Sequence, residues 1–140
     1  MKSLTSYIYE ALAQINGFCI LKPEFLEHEY EFYELLKNNN WQLIQKNRKT
    51  LSKKEAEDLY INLKDKPFYD ELTTYMASDE CICCACYKDC KDPIADMKKL
   101  KDKVRKTWGK DEMKNAMHSS GSLKDVNREY KLIFENKLVD

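Results

Sequence analysis

The run Cys-Ile-Cys-Cys-Ala-Cys-Tyr at residues 81–87 restricts the possible folds of this chain more than any other segment. It is apolar nearly throughout and shows no alternation with charged residues. A strand with one face in water alternates, whereas a strand buried on both faces reads as a continuous apolar run. The run therefore predicts a central strand of a β-sheet.

Strands and helices alternate along the rest of the chain. Residues 17–21 form a second short apolar run that ends at Lys22-Pro23, and residues 41–46 alternate as a half-buried strand should. Ser52 and Glu55 have the spacing of a capping box at a helix start. Helices are predicted over residues 1–16, 24–37, 52–60, 67–76, 93–103 and 122–132, with a short helix or turn over 111–117.

This order of elements predicts one architecture. With a short strand near His118, it reads β-α-β-α-α-β-α-β-α after an extra first helix. Such an order suits an α+β, ferredoxin-like split βαβ sandwich, in which helices cover one face of a four-stranded antiparallel sheet. A chain of 140 residues is one domain by length. We expect a helical extension over residues 1–16 and the domain over 17–140.

The charge balance excludes a strong general attraction to nucleic acid or to an anionic membrane. The chain has 24 basic and 24 acidic side chains, so its net charge is zero. Residues 98–114 are rich in Lys and Arg, which fits either a solvated helix face or a surface that attracts polyphosphate. No apolar run reaches membrane-spanning length, and the start lacks a signal-peptide pattern. We therefore expect a cytoplasmic protein.

Five of the six cysteines fall between residues 81 and 90. Zinc sites favour paired cysteines on turns, whereas these thiols lie along a predicted strand. Alternation would place Cys81 and Cys83 on one face of the sheet and Cys84 and Cys86 on the other. We expect buried free thiols, with a zinc- or redox-linked regulator that includes Cys90 as a weaker alternative.

A polar turn around His118 is the strongest functional signal. Its sequence is Asn115-Ala-Met-His118-Ser-Ser120-Gly-Ser122, and Glu129 follows on the last predicted helix. A neutral imidazole is a competent nucleophile near pH 7 when one nitrogen is free and the other is hydrogen-bonded. Glu129 could supply that bond. A satisfied surface or core histidine is the alternative interpretation.

From about Phe18 to Phe134, the chain resembles the nucleoside diphosphate kinases. The segment 115–122 with Glu129 is similar to the active-site signature of that family. Residues 19–24, Cys-Ile-Leu-Lys-Pro-Glu, resemble its opening strand, and residues 60–69 resemble its nucleotide-cleft helices. Arg105 precedes Asn115 at the family's spacing.

The resemblance implies a ping-pong transfer of the γ-phosphate of a nucleoside triphosphate to a nucleoside diphosphate through phosphorylated His118. It implies catalytic roles for Glu129, Lys22, Tyr60 and Ser120. It implies nucleotide contacts from Lys22, Phe68, Leu72, Lys98, Arg105 and Asn115. Mg²⁺ would arrive bound to the nucleotide, since phosphates usually supply most of its ligands.

Two departures from the family pattern affect these expectations. Lys98 stands where the family has an arginine, and a lysine lacks the bidentate fork of that side chain. Only residues 101–104 replace a long family loop that carries a phosphate-contacting threonine and builds subunit contacts. We therefore expect an open site and a homo-oligomer, with a dimer better supported than a trimer or hexamer. A catalytically weakened nucleotide-binding or scaffold protein is the alternative function.

Overall fold

The computed structural model describes residues 3–4 and 14–135, so most of the predicted first helix lies outside the described residues. Four strands form one sheet in the order β2-β3-β1-β4, with every neighbouring pair antiparallel. Their bounds are β1 Gly17–Leu21, β2 Gln42–Lys49, β3 Cys81–Tyr87 and β4 Met117–Ser119. The predicted four-stranded antiparallel sheet, with 81–87 as an interior strand, is confirmed.

Helices connect these strands in the predicted order. They are α1 Glu29–Asn38, α2 Lys53–Leu59, α3 Tyr69–Met76, α4 Pro93–Trp108 and α5 Leu123–Tyr130, with 3₁₀ turns at Leu26–His28 and Ile61–Leu63 and a π-helical turn at Lys131–Glu135. The first α-helix of this set begins later than predicted because Glu24 has a φ of 78°, outside the helical region. In the segment predicted as a short helix or turn, residues 111–114 and 116 form bends and Met117 begins β4. No described helix is long and apolar enough to cross a membrane.

Helix α4 corrects a specific prediction. The sequence predicted a helix that ends at residue 103, with residues 101–104 in place of a long family loop, whereas α4 continues through Arg105 to Trp108 and ends at Gly109. The physical reason is burial, because Val104 extends the apolar stripe of Met97 and Leu100 by one turn. Arg105 is therefore held within a rigid helix rather than beyond its end.

Helices cover both faces of the sheet rather than the single face expected from the sequence. Side chains alternate along β1, so Cys19 packs with α1 and α4 while Phe18 packs with α2, α3 and α5. The strand β3 divides in the same way, with Cys84 on the first side and Cys83 on the second. Because the two interior strands are apolar on both faces, each face needs its own covering layer.

A capping box starts α2, the helix that leads to Tyr60. The Glu55 backbone N–H donates to Ser52 Oγ at 3.0 Å, and the Ser52 N–H donates to the Glu55 carboxylate at 3.0 Å. Two backbone donors at the helix start are thereby satisfied. The predicted capping box is confirmed.

Removing this cap should destabilise the protein. Ser52→Ala is expected to lower the free energy of unfolding by about 1 kcal/mol, because it leaves one helix-start donor without a partner. Urea denaturation of the variant and the wild type measures the change. Lys54→Ala, an exposed position on the same helix, should give a much smaller change. Equal losses in the two variants would contradict the role of the cap.

Candidate functional site

The pairing of β4 with β1 positions His118. Ile20 lies opposite His118 in this ladder. On either side of the pair, the Lys22 N–H donates to the Ala116 carbonyl at 2.8 Å and the Ser120 N–H donates to the Phe18 carbonyl at 3.1 Å. Ala116 has a left-handed φ of 80°, an uncommon conformation for a residue with a side chain. The chain therefore turns sharply into β4 just before the histidine.

The His118 ring is held by one short polar contact and two aromatic neighbours. His118 Nε2 lies 2.5 Å from Glu129 Oε1, and Glu129 is only 3% exposed. Because a carboxylate accepts hydrogen bonds, the proton lies on Nε2, and in a neutral ring Nδ1 keeps its lone pair. The rings of Tyr60 and Phe18 meet the imidazole edge-on, with centroids at 5.1 and 6.5 Å. This packing fixes the direction in which Nδ1 points.

Arg128 supports the carboxylate of Glu129 from the opposite side. Its Nη2 lies 3.5 Å from Glu129 Oε2, and its Nη1 donates to the Asp58 carbonyl at 2.7 Å. The guanidinium thereby ties α5 to the end of α2 and places a positive charge beside the buried carboxylate. Arg128 was absent from the sequence-based site although it directly precedes Glu129, since its anchorage to the Asp58 and Leu59 carbonyls leaves no local sequence signal.

A buried lysine and an arginine face the same region. Lys22, at the end of β1, is 3% exposed, and its Nζ donates to the Met113 carbonyl at 3.3 Å. Burial lowers the pKa of Lys22 to about 7, and the nearby positive charges of Arg105 and Lys101 add to this effect. Arg105 Nε donates to the Met117 carbonyl at 3.0 Å, which anchors its guanidinium beside β4.

These side chains open into a cleft of about 440 Å³. Lys22 and Arg105 supply its positive charge, and Asn115 supplies an amide. Phe68, which is 43% exposed, and Leu72 contribute apolar surface. Tyr60 also lines the cleft and contacts the His118 ring. The cleft thus combines cations with an accessible aromatic face next to the histidine.

Unpartnered buried polar atoms concentrate at this site. Among the described residues, four buried side-chain atoms make no hydrogen bond, and three of them belong to Tyr60, Asn115 and Ser120. Buried polar groups normally have partners, so each unpaired group requires an explanation. Burial and the nearby Glu129 charge raise the pKa of Tyr60, which keeps its hydroxyl a hydrogen-bond donor. Two of the three, on Tyr60 and Asn115, belong to residues that line the cleft.

The structure brings together most of the residues predicted for the site. Those at the cleft or beside the histidine are His118, Glu129, Lys22, Tyr60, Phe68, Leu72, Arg105 and Asn115. Ser120 lies next to β4, two residues from the histidine. Lys98 is not among the cleft-lining residues: its side chain is 69% exposed and pairs with Asp102 at 3.5 Å. The positive charge of Lys101, which also is not among the cleft-lining residues, helps to lower the pKa of Lys22.

The cysteines are separate from this cleft. Cys19, Cys81, Cys83, Cys84 and Cys86 are free and buried, and Cys90 is free and partly exposed. Their predicted division between the two sheet faces is confirmed. Within residues 3–4 and 14–135, no group of three or more His, Cys, Asp or Glu side chains is placed to hold a metal ion. The thiols of the strands serve as core side chains.

Lys22→Met should separate stability from ligand binding. An unfolded lysine has a pKa of about 10.4. The buried charge therefore lowers the free energy of unfolding fully below pH 7, where Lys22 is charged in both states. This destabilisation disappears as the pH rises to about 10, because native Lys22 becomes neutral first. At pH 6 we expect the free energy of unfolding of the variant to exceed that of the wild type by roughly 1 kcal/mol or more, because the buried charge is absent. Its affinity for a phosphate-bearing ligand should fall.

Urea denaturation at pH 6 and pH 9.5 measures this effect. The stability gain of Lys22→Met should shrink at the higher pH, where native Lys22 is already neutral. Lys99→Met, an exposed position on α4, provides the control and should show no such pH dependence. An equal gain at both pH values would contradict the assigned burial cost.

Comparison with known proteins gives one consistent family. The family model described as nucleoside diphosphate kinase matches residues 16–139. The chain is 29% identical over 141 residues to a nucleoside diphosphate kinase of Salinibacter ruber, with 91% of this chain and 98% of that protein covered. It is 27% identical to nucleoside diphosphate kinase homolog 7 of Rattus norvegicus and 23% identical to homolog 5 of Mus musculus.

The match to these two mammalian proteins is partial. It includes 82% and 86% of this chain but only 32% and 63% of their lengths. Among solved structures, the Aquifex aeolicus nucleoside diphosphate kinase superposes with a TM-score of 0.77 at 20% identity, covering 84% of this chain and 93% of that chain. The Encephalitozoon cuniculi enzyme gives the same TM-score at 19% identity, with 84% and 87% covered. These structures show the shared fold.

Proposed function

Because this chain belongs to the nucleoside diphosphate kinase family, we propose that it transfers the γ-phosphate of a nucleoside triphosphate to a nucleoside diphosphate through His118. The contact between His118 Nε2 and Glu129 carries this proposal. It leaves Nδ1 as the nucleophilic nitrogen, next to a cleft that contains two cations. No other described histidine has a buried carboxylate partner, since the acidic neighbours of His28 are largely exposed.

The first half-reaction forms a phosphohistidine. The Nδ1 lone pair attacks the γ-phosphorus, and the bond from that phosphorus to the β-phosphate oxygen breaks. The nucleoside diphosphate leaves with the bonding electron pair. The imidazole gains positive character while Nε2 keeps its proton, and the Glu129 carboxylate stabilises that charge. The acceptor diphosphate then attacks the phosphohistidine in the reverse sense and restores the neutral ring.

The cations of the cleft supply electrostatic stabilisation. Phosphoryl transfer requires in-line positioning and positive charge around the transferred oxygens, with little covalent chemistry from the protein. Lys22, which is buried, and Arg105, which is half-buried, are anchored by backbone carbonyls, so they need little rearrangement on binding. The hydroxyls of Tyr60 and Ser120 and the amide oxygen of Asn115 would take ligand partners.

The outer part of the cleft suits a nucleobase. Phe68 is partly exposed and lies beside Leu72, so a base can stack on its ring. Stacking tolerates any base, because every base has a π-face. We therefore propose broad base tolerance.

Mg²⁺ fits this site as a companion of the nucleotide. The ion usually takes several ligands from substrate phosphates and water and only one or two from protein carboxylates. Lys22 and Arg105 are cations that bind phosphate and not metal. Glu71 and Glu112 supply the carboxylates that line the cleft, and we assign neither to the ion. When bound, it would neutralise part of the phosphate charge.

A second candidate function is nucleotide binding with weak or absent turnover. The observation that favours it is the continuous helix α4, which occupies the positions where the family resemblance predicts a closing loop. The two candidates differ in one result, since only the first includes transfer of phosphate to an acceptor diphosphate.

Radiolabelled ATP should phosphorylate the wild-type protein and leave an acid-labile phosphohistidine. His118→Ala should abolish the label because it removes the nucleophile. His28→Ala is the matched control: the His28 ring stacks on Trp108 with centroids at 4.3 Å, and its loss should leave the label intact. A label that persists in His118→Ala would overturn the assignment. Label without transfer to a diphosphate would favour the second candidate.

Glu129→Gln should slow turnover without preventing nucleotide binding. The amide is similar in shape but cannot balance the positive charge that develops on the imidazole. Hydrogen bonds to charged groups contribute about 1.5–3 kcal/mol, so we expect kcat to fall by at least about tenfold. Steady-state kinetics should show a small change in KM. An unchanged kcat with a raised KM would contradict the proposed role of Glu129.

A further inference from the structure

Arg128 makes four polar contacts that join α5 to the end of α2. Its Nη1 donates to the Asp58 carbonyl at 2.7 Å, and its Nη2 donates to the Leu59 carbonyl at 3.3 Å. The same Nη2 lies 3.5 Å from Glu129 Oε2, and Nε lies 3.3 Å from Asp125 Oδ1. The donors of a guanidinium are fixed in one plane, so a single side chain can hold several acceptors in one arrangement. Arg128 therefore fixes the end of α2 relative to Glu129.

The two backbone carbonyls belong to the last turn of α2. The final carbonyls of a helix have no partner further along the helix, and a basic side chain can satisfy them. The residue that follows is Tyr60, which is 7% exposed and whose ring meets the His118 imidazole edge-on. By capping α2, Arg128 holds the backbone from which this aromatic neighbour of the histidine projects.

The remaining contact of Nη2 completes the environment of Glu129. Oε1 of this carboxylate accepts from His118, whereas Oε2 faces Arg128. Within the described residues, Oε2 has no other hydrogen-bond partner. A buried acceptor without a partner is costly, and a carboxylate held at one oxygen alone is free to turn. Arg128 therefore sets the orientation in which Glu129 meets the imidazole.

We propose that Arg128 is a positioning residue for phosphoryl transfer, because one guanidinium holds both Glu129 and Tyr60 against the His118 ring. Arg128 is not among the residues that line the cleft, so it acts through these two neighbours and not on the nucleotide. The inference rests on the role of His118 as nucleophile in the proposed function. Transfer is sensitive to small displacements of the nucleophile, so a loosely held imidazole should react slowly while nucleotide binding persists.

The rate of His118 labelling by radiolabelled ATP in a single turnover tests this role. Arg128→Met keeps much of the side-chain volume but removes every donor, and we expect the rate constant to fall by about tenfold or more. Calorimetric ADP affinity should change by less than about twofold, because the side chain does not line the cleft. Arg128→Lys keeps the positive charge and should restore part of the rate.

Arg48→Met is the matched control. Arg48 also joins separate elements, with guanidinium nitrogens 3.5 Å from Glu29 and 3.4 Å from Glu80. It lies on β2, at the opposite edge of the sheet from β4 and His118. Its loss should leave the labelling rate unchanged, even where it lowers the free energy of unfolding. Equal losses of labelling in the two methionine variants would indicate a general effect of stability and overturn the inference.

A double-mutant cycle separates positioning from stabilisation of the fold. Residues that act through one another are not additive. In a Glu129→Gln background, Arg128→Met should therefore reduce the labelling rate by a smaller factor than in the wild type, and the remaining factor reflects Tyr60. The same factor in both backgrounds would contradict action through Glu129.

The His118 imidazole also gives a readout that does not require phosphoryl transfer. In protein with isotope-labelled histidine, the Nε2–H proton should give a slowly exchanging downfield resonance, because it is bonded to a buried carboxylate. Arg128→Met should broaden or remove this resonance, and Arg48→Met should preserve it. The His28 signals serve as an internal reference, since that ring stacks on Trp108.

These outcomes separate the inference from the kinase assignment. An unchanged resonance and labelling rate in folded Arg128→Met would overturn the inference. Arg128→Gln, which is neutral but keeps an amide donor, provides the same measurements if the methionine variant does not fold. Loss of the resonance on substitution, in a protein that never labels His118, would support the inference and refute the proposed kinase activity.

Discussion

The antiparallel pairing of β1 with β4 is the constraint on which the site depends. A short ladder fixes His118 opposite Ile20 and holds the Lys22 backbone against Ala116. Because alternate side chains of β1 pack into two different cores, a one-residue slip would place each of them in the wrong core. The buried strand thereby sets the distance between the histidine and the cations, which side-chain flexibility alone would leave undefined.

The chemistry of the cleft comes from groups that are unfavourable in the free protein. Lys22 is a buried cation with other cations nearby, and three buried polar atoms at the site lack partners. Each of these features costs stability and is relieved by a polyanionic, hydrogen-bonding ligand. Preorganised charge of this kind stabilises a phosphoryl-transfer transition state with little rearrangement. The core of the sheet supplies the rigidity that keeps these groups in place.

Helix α4 shows how the chain differs from the pattern that its sequence resembles. Arg105 and Lys101 occupy successive turns of one rigid element, and Lys98 points away from them. Sequence spacing identified Arg105 because its distance from Asn115 is short and local. Lys98 was named because the family resemblance places an arginine there, and local sequence does not show that its side chain pairs with Asp102 at the surface. Val104 is buried against the sheet, and this burial extends α4 past residue 103.

The sequence by itself determined the order of strands and helices, the interior position of residues 81–87, the capping box at Ser52 and the pairing of His118 with Glu129. These features depend on local periodicity, local capping or a distinctive motif. The tertiary structure decided that helices cover both sheet faces, that α4 continues through Arg105 and that Arg128 supports Glu129. The first two depend on contacts between residues far apart in the chain, and Arg128 is held beside its neighbour Glu129 by the distant carbonyls of Asp58 and Leu59, so packing and burial outweigh local preference.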